Sequence, residues 1–170
     1  ARARSGGAIP ALAAAPAEAR PDASARATIL YASQTGNSRR VAERLARAAE
    51  AGGLAVRLVS AADYAPRELA NERLLFFATS TQGDGDPPDE ARAFHDFLMG
   101  RKAPKLPELE FAVLGLGDSS YPKYCEISRR LEERLNELGA KAIATRVDCD
   151  LDFDKPAAVW VTQVVGAARE

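Results

Sequence analysis

Three hydroxyls, amide side chains and a glycine stand together at Ser33-Gln34-Thr35-Gly36-Asn37-Ser38, where an apolar run gives way to helical spacing. A helix that begins there presents free backbone N–H groups and the positive end of its dipole. With hydroxyl donors added, that is a cradle for an anion. The loop has no Gly-Lys-Ser/Thr, so a phosphate monoester suits it better than a triphosphate with magnesium. A second polar loop, Ser80-Thr81-Gln82-Gly83-Asp84-Gly85-Asp86-Pro87-Pro88, has glycines that let backbone approach a flat ligand and prolines that stiffen its exit. The third runs Gly115-Leu116-Gly117-Asp118-Ser119-Ser120-Tyr121. It opens like a dinucleotide fingerprint but lacks the last glycine and comes late in the chain, which argues against a nicotinamide site. Tyr121, Tyr124 and Cys125 instead bring two rings and a thiol to that edge, and an aromatic ring there would stack on a conjugated ligand.

These loops need a frame. Ala27 to Ser33, Leu54 to Val59, Leu74 to Ala78, Phe111 to Leu116 and Ala142 to Val147 read as strands, the third and fourth apolar enough to be covered on both faces. Helical spacing falls between them: Val41, Leu45 and Ala48; Phe94, Phe97 and Leu98; Ile127, Leu131, Leu135 and Leu138; and a closing helix from near Pro156 through Val159 to Ala168. Strands alternating with helices imply an α/β fold, a doubly wound parallel sheet with helices on both faces. Ligands of such sheets bind beyond the carboxyl ends of the strands, where all three polar loops fall.

The 170 residues are 46% hydrophobic, enough for one core. Lys and Arg number 23 against 24 Asp and Glu, a net charge of −1 that gives no global reason to bind nucleic acid. Carboxylates nevertheless gather near the ligand loops, at Asp84, Asp86, Asp89, Glu90, Asp118, Asp148, Asp150, Asp152 and Asp154, a negative rim that would steer a basic partner. Cys125 and Cys149 form no CxxC pair and His95 is the single histidine, so no metal cluster is expected. His95 reads as a helix-surface residue, and Cys149 and Trp160 as packing residues. No run approaches the roughly 20 apolar residues that cross a bilayer. Residues 1–26, rich in Ala, Pro and Arg, read as a flexible linker ahead of one domain over 27–170. A first residue that is not Met suggests excision from a longer chain.

SQTGNS, STQGDGDPP and LGDSSYPKYC, in this order and spacing, resemble the FMN domain of the diflavin reductases, nearest among them the sulfite reductase flavoproteins. The likeness runs from about Thr28 to Ala168 and includes RVDCD at Arg146 to Asp150. It implies a flavodoxin-like five-stranded sheet of order 2-1-3-4-5. FMN phosphate would sit on Ser33, Gln34, Thr35, Gly36, Asn37 and Ser38. Ser80, Thr81, Gln82 and Gly83 would run along the ring. Leu116, Gly117, Asp118, Ser119, Ser120, Tyr121, Tyr124 and Cys125 would form the third wall, with Tyr121 stacked and Asp150 near the ribityl chain or ring edge. The implied role is to relay electrons one at a time from an FAD/NADPH reductase module to a metal-containing acceptor such as sulfite reductase hemoprotein. No such module follows Glu170, so the expectation is a cytoplasmic electron-transfer domain rather than a complete reductase. A free-standing flavodoxin-type carrier and the flavin domain of a membrane-anchored fusion, on the cytoplasmic face, are the alternatives.

Overall fold

Apolar runs in the middle of this chain are strands of one sheet because alternate residues can be buried against helices on opposite faces. The computed structural model describes residues 26–33, 35–82 and 85–169. The expected linker lies outside them except for Arg26, which opens the first strand. Strands β1 (Arg26–Ala32), β2 (Ala55–Ser60), β3 (Leu74–Ser80) and β4 (Glu110–Leu116) alternate with helices α1 (Asn37–Ala51), α2 (Arg92–Met99) and α3 (Glu126–Glu137). Two short strands, β5 (Lys141–Ala142) and β6 (Val147–Cys149), precede α4 (Asp154–Ala168). All pairings between these strands are parallel, in the order β2-β1-β3-β4-β5, with β6 also beside β4.

The alternation of side chains divides the core in two. Leu30, Phe77, Phe111 and Val113 face α2 and α3, where they meet Phe94, Leu98, Leu131 and Leu135. Ile29, Phe76, Ala112 and Leu114 face α1 and α4, where they meet Val41, Leu45, Trp160 and Val164. Trp160 and Cys149 are buried, as packing residues should be. The expected fifth strand over 142–147 is instead two pieces in one position beside β4. Ala142 pairs with Phe111 and Val147 with Leu114, so four residues lie opposite two of β4, and the ladder breaks after the Ile143 N–H donates to Phe111 O at 2.9 Å. One of the four, Arg146, binds Asp148 at 3.0 Å and Glu132 of α3 at 2.6 Å.

His95 also departs from expectation. It shares the inner face of α2 with Phe94 and Leu98 and is 8% exposed. Strand order turns between β1 and β3, because the chain moves first to β2 and then back across β1. The loops that leave β1 and β3 therefore diverge, and the crevice between them is the place where this topology admits a ligand.

Candidate functional site

A cavity of about 450 Å3 opens at that crevice, walled by all three polar loops. From the first loop come Ser33, Thr35, Asn37 and Ser38. Gly36 takes a left-handed conformation at φ 94°, which glycine adopts without the steric penalty other residues incur, and this turns the chain into α1. Its N–H donates to Ser33 Oγ at 2.6 Å, while the Ser33 N–H donates to Glu90 Oε1 at 2.8 Å. The first turn of α1 carries no acidic residue, so the positive end of its dipole faces the cavity, and the carboxylate nearest this loop is that of Glu90 on the Ser33 N–H. Ser38 is fully buried and its Oγ has no protein partner among the described residues. The neighbouring Arg39 and Arg40 are exposed and turn to Glu43 at 3.1 Å and Asn37 at 2.5 Å.

Ser80, Thr81 and Gln82 form the second wall. Ser80 Oγ is another buried hydroxyl without a protein partner among the described residues. Thr81 spans two loops: its N–H donates to Leu116 O at 3.1 Å, and its Oγ1 accepts the Ile127 N–H of α3 at 3.0 Å. Gln82 and Asp86 close a tight turn around Gly85, which sits at φ 95° against the Lys123 stem, where a side chain would collide. Gln34, Gly83 and Asp84 lie outside the described residues.

The third wall is made by Leu116, Gly117, Asp118, Tyr121, Lys123, Tyr124 and Cys125. Gly117 lets this loop close: a Cβ there would stand 3.1 Å from Cys125 Sγ and 3.2 Å from Cys125 N. Tyr121 is half exposed at the mouth, and Tyr124 is fixed by its hydroxyl, which donates to Asp148 O at 3.0 Å. Burial pushes the Cys125 thiol up to about 12, with the Asp148 charge adding to it, so it stays protonated and serves as packing.

Four of the expected site residues stand behind or beside the cavity wall rather than in it: Gly36, Ser119, Ser120 and Asp150. Asp150 accepts the Ser119 N–H at 3.1 Å and the Ser119 hydroxyl, bonds that hold its carboxyl below the usual range. Asp118 accepts from Ser120 N at 2.9 Å and so shapes its own turn. Leu151, 72% exposed, lines the cavity although nothing in its sequence context marked it. Two carboxylates of the expected rim turn inward. Asp148 binds Arg146 and Ser128, the latter at 2.9 Å, and Glu90 binds Ser33.

The family model described as Flavodoxin matches residues 29–159. The chain is 47% identical over 150 residues to a sulfite reductase [NADPH] flavoprotein alpha-component of Bacillus subtilis, covering 88% of this chain and 25% of that protein. A Neisseria meningitidis protein of the same name is 49% identical over 143 residues, covering 84% and 24%. The chain thus spans about a quarter of the length of these curated relatives. Among solved structures, oxidised flavodoxin 1 from Bacillus cereus superimposes with a TM-score of 0.72 at 25% identity, covering 83% of this chain and 97% of that one. A Streptococcus pneumonia TIGR4 flavodoxin gives 0.73 at 26% identity, covering 86% and 97%. By sequence, by topology and by the placing of its cavity, the chain belongs to the flavodoxin family, whose cofactor is FMN.

Proposed function

We propose that this chain is the FMN-binding electron-transfer domain of a diflavin reductase of the sulfite reductase type. It would receive electrons from an FAD/NADPH-binding module and deliver them singly to a metal-containing acceptor, with sulfite reductase hemoprotein the first candidate. The observation that carries the reading is the Ser38 hydroxyl, buried without a protein partner among the described residues in the first turn of α1 and lining the same cavity as Tyr121. A buried hydroxyl left unpaired costs about 1–3 kcal/mol, a cost that a phosphate oxygen would remove.

The residues present fit FMN. Gln34, Thr35, Asn37, Ser38 and the loop N–H groups would hold the phosphate; Ser80 to Gly83 would line the ring; Leu116 to Cys125 would wall its far side. Tyr121 supplies the stacking face and Leu151 an apolar cover that keeps water off. Asp150 acts at one remove, by fixing Ser119. FMN when bound supplies the redox chemistry, and the protein supplies position and field. No helix among the described residues is long and apolar enough to cross a membrane. The two cysteines are free and buried, in keeping with the cytoplasm as the place of work.

A free-standing flavodoxin-type carrier is the second reading, favoured by the coverage of whole flavodoxins at 97% of their length. The first experiment is absorbance and fluorescence titration of the purified chain with FMN. Saturable binding with a perturbed flavin spectrum is expected, and no binding at excess FMN would overturn both readings. Titration with separate FAD-containing modules then divides them: rapid reduction by a sulfite-reductase-type module supports the first, and by a stand-alone flavodoxin reductase alone the second.

A further inference from the structure

Glu90 lies outside every motif loop, yet its carboxylate reaches across from the single turn over residues 89–91 to the residue that opens the first loop. Its Oε1 accepts the Ser33 N–H at 2.8 Å, a contact between residues 57 apart in sequence. Arg92, two residues on, turns to Asp89 at 3.5 Å rather than to Glu90. The carboxylate is half-buried, and the turn that carries it follows the buried Pro87 and Pro88, which hold its base stiff.

Where a Gly36 side chain would begin, the described residues beyond its chain neighbours leave open space. Among the described residues, a chain of two hydrogen bonds ties the loop to the turn beside it: Glu90 grips the Ser33 N–H, and the Ser33 hydroxyl grips the Gly36 N–H at 2.6 Å. The first of these has an ionised acceptor and belongs to the stronger class. It also joins the exit of β1 to the exit of β3, the two loops that diverge to make the crevice.

We infer that Glu90 is a positioning residue for the phosphate end of the cavity, holding Ser33 so that Thr35, Asn37 and Ser38 are presented in a binding geometry. The inference rests on the flavin reading above. The carboxylate also places a negative charge near an anion cradle, so geometry and charge act in opposite directions, and substitutions separate them. Glu90→Gln keeps an acceptor and removes the charge; Glu90→Ala removes both.

The test is the dissociation constant of FMN and of riboflavin, which lacks the phosphate, for each protein. E90A is expected to bind FMN roughly tenfold more weakly, the factor expected for one charge-assisted hydrogen bond, with riboflavin changed less than about threefold. E90Q is expected to bind FMN as tightly as the unsubstituted chain or more tightly. Preserved or tightened FMN binding in E90A would overturn the inference and leave only a charge effect. Equal weakening for both flavins would also overturn it, because general destabilisation does not discriminate the phosphate. Trp160 fluorescence checks folding; should E90A not fold, Glu90→Asp, with its arm shortened by one methylene, is judged by the same contrast. An unsubstituted chain that binds neither flavin brings down the functional reading itself, an outcome distinct from failure of the variants.

Discussion

The imidazole of His95 is buried, within the fields of Arg130, Arg92 and Asp96. Its Nε2 has no hydrogen-bond partner among the described residues, and its Nδ1 stands 3.8 Å from Asp96. Burial first, then the Arg130 charge and more weakly that of Arg92, push its pKa below the ordinary value against the pull of Asp96. An unfolded chain takes up this proton near pH 6.5, whereas the native protein resists it. Stability from this residue is therefore fully present above that pH and is lost as pH falls towards the depressed native value. The urea midpoint, followed through Trp160 fluorescence, should drop between pH 7.5 and 5.5, and His95→Gln should flatten the drop. Equal slopes in the two proteins would mean that carboxylates alone govern this window. Sequence did not reveal the burial, because a polar residue beside Phe94 reads as surface until α3 is known to cover that face. It did single out Ser33, Thr35 and Ser38, which line the cavity, since hydroxyls crowded at a strand-to-helix junction announce themselves by type. Glu90 was marked only as a rim carboxylate and Leu151 not at all: their places depend on contacts made only in the folded chain.

Helix α2 has eight residues, too few to be stable without help at its ends. Arg134 of α3 provides that help, donating from Nε to Leu98 O at 2.8 Å and from Nη2 to Gly100 O at 3.1 Å. A guanidinium on the last carbonyls satisfies orphan acceptors and opposes the negative end of the dipole. Arg134→Met keeps the apolar stem and removes the donors, and should cost about 1–3 kcal/mol in urea unfolding. Faster exchange of the amides at the end of α2, with FMN affinity unchanged, should accompany the loss; an unchanged midpoint would show that water replaces the guanidinium at no cost. The elements were legible where one periodicity ran unbroken, as in β3, β4 and α3. They were not where tertiary contacts interrupt a run. Residues 141–149 contain enough apolar side chains for one strand, but the strand divides over 143–146, beside which Arg146 meets Glu132 and Asp148.

At the scale of the whole molecule the charges nearly cancel, to a net −1, but they are not evenly spread. Asp89 and Asp154 have arginine partners at 3.5 Å, and Asp148 is held by Arg146. Asp86, Asp150 and Asp152 remain exposed near the cavity mouth with no cation partner among the described residues. Local field and net charge thus make different predictions. If the rim steers a basic acceptor to the ligand edge, Asp86→Asn with Asp152→Asn should slow second-order reduction of a basic haem protein several-fold at low salt and make the rate less sensitive to ionic strength. FMN affinity should stay the same, since neither residue lines the cavity. Glu50→Gln with Glu108→Gln makes the same change in total charge at the far edge of the sheet, where α1 ends and β4 begins. That protein should keep the rate and salt dependence of the unsubstituted chain. Were both pairs of substitutions to slow transfer equally, net charge rather than the rim would be responsible. Were neither to do so, the partner would have to be recognised through the apolar mouth at Tyr121 and Leu151, the two large side chains most exposed there.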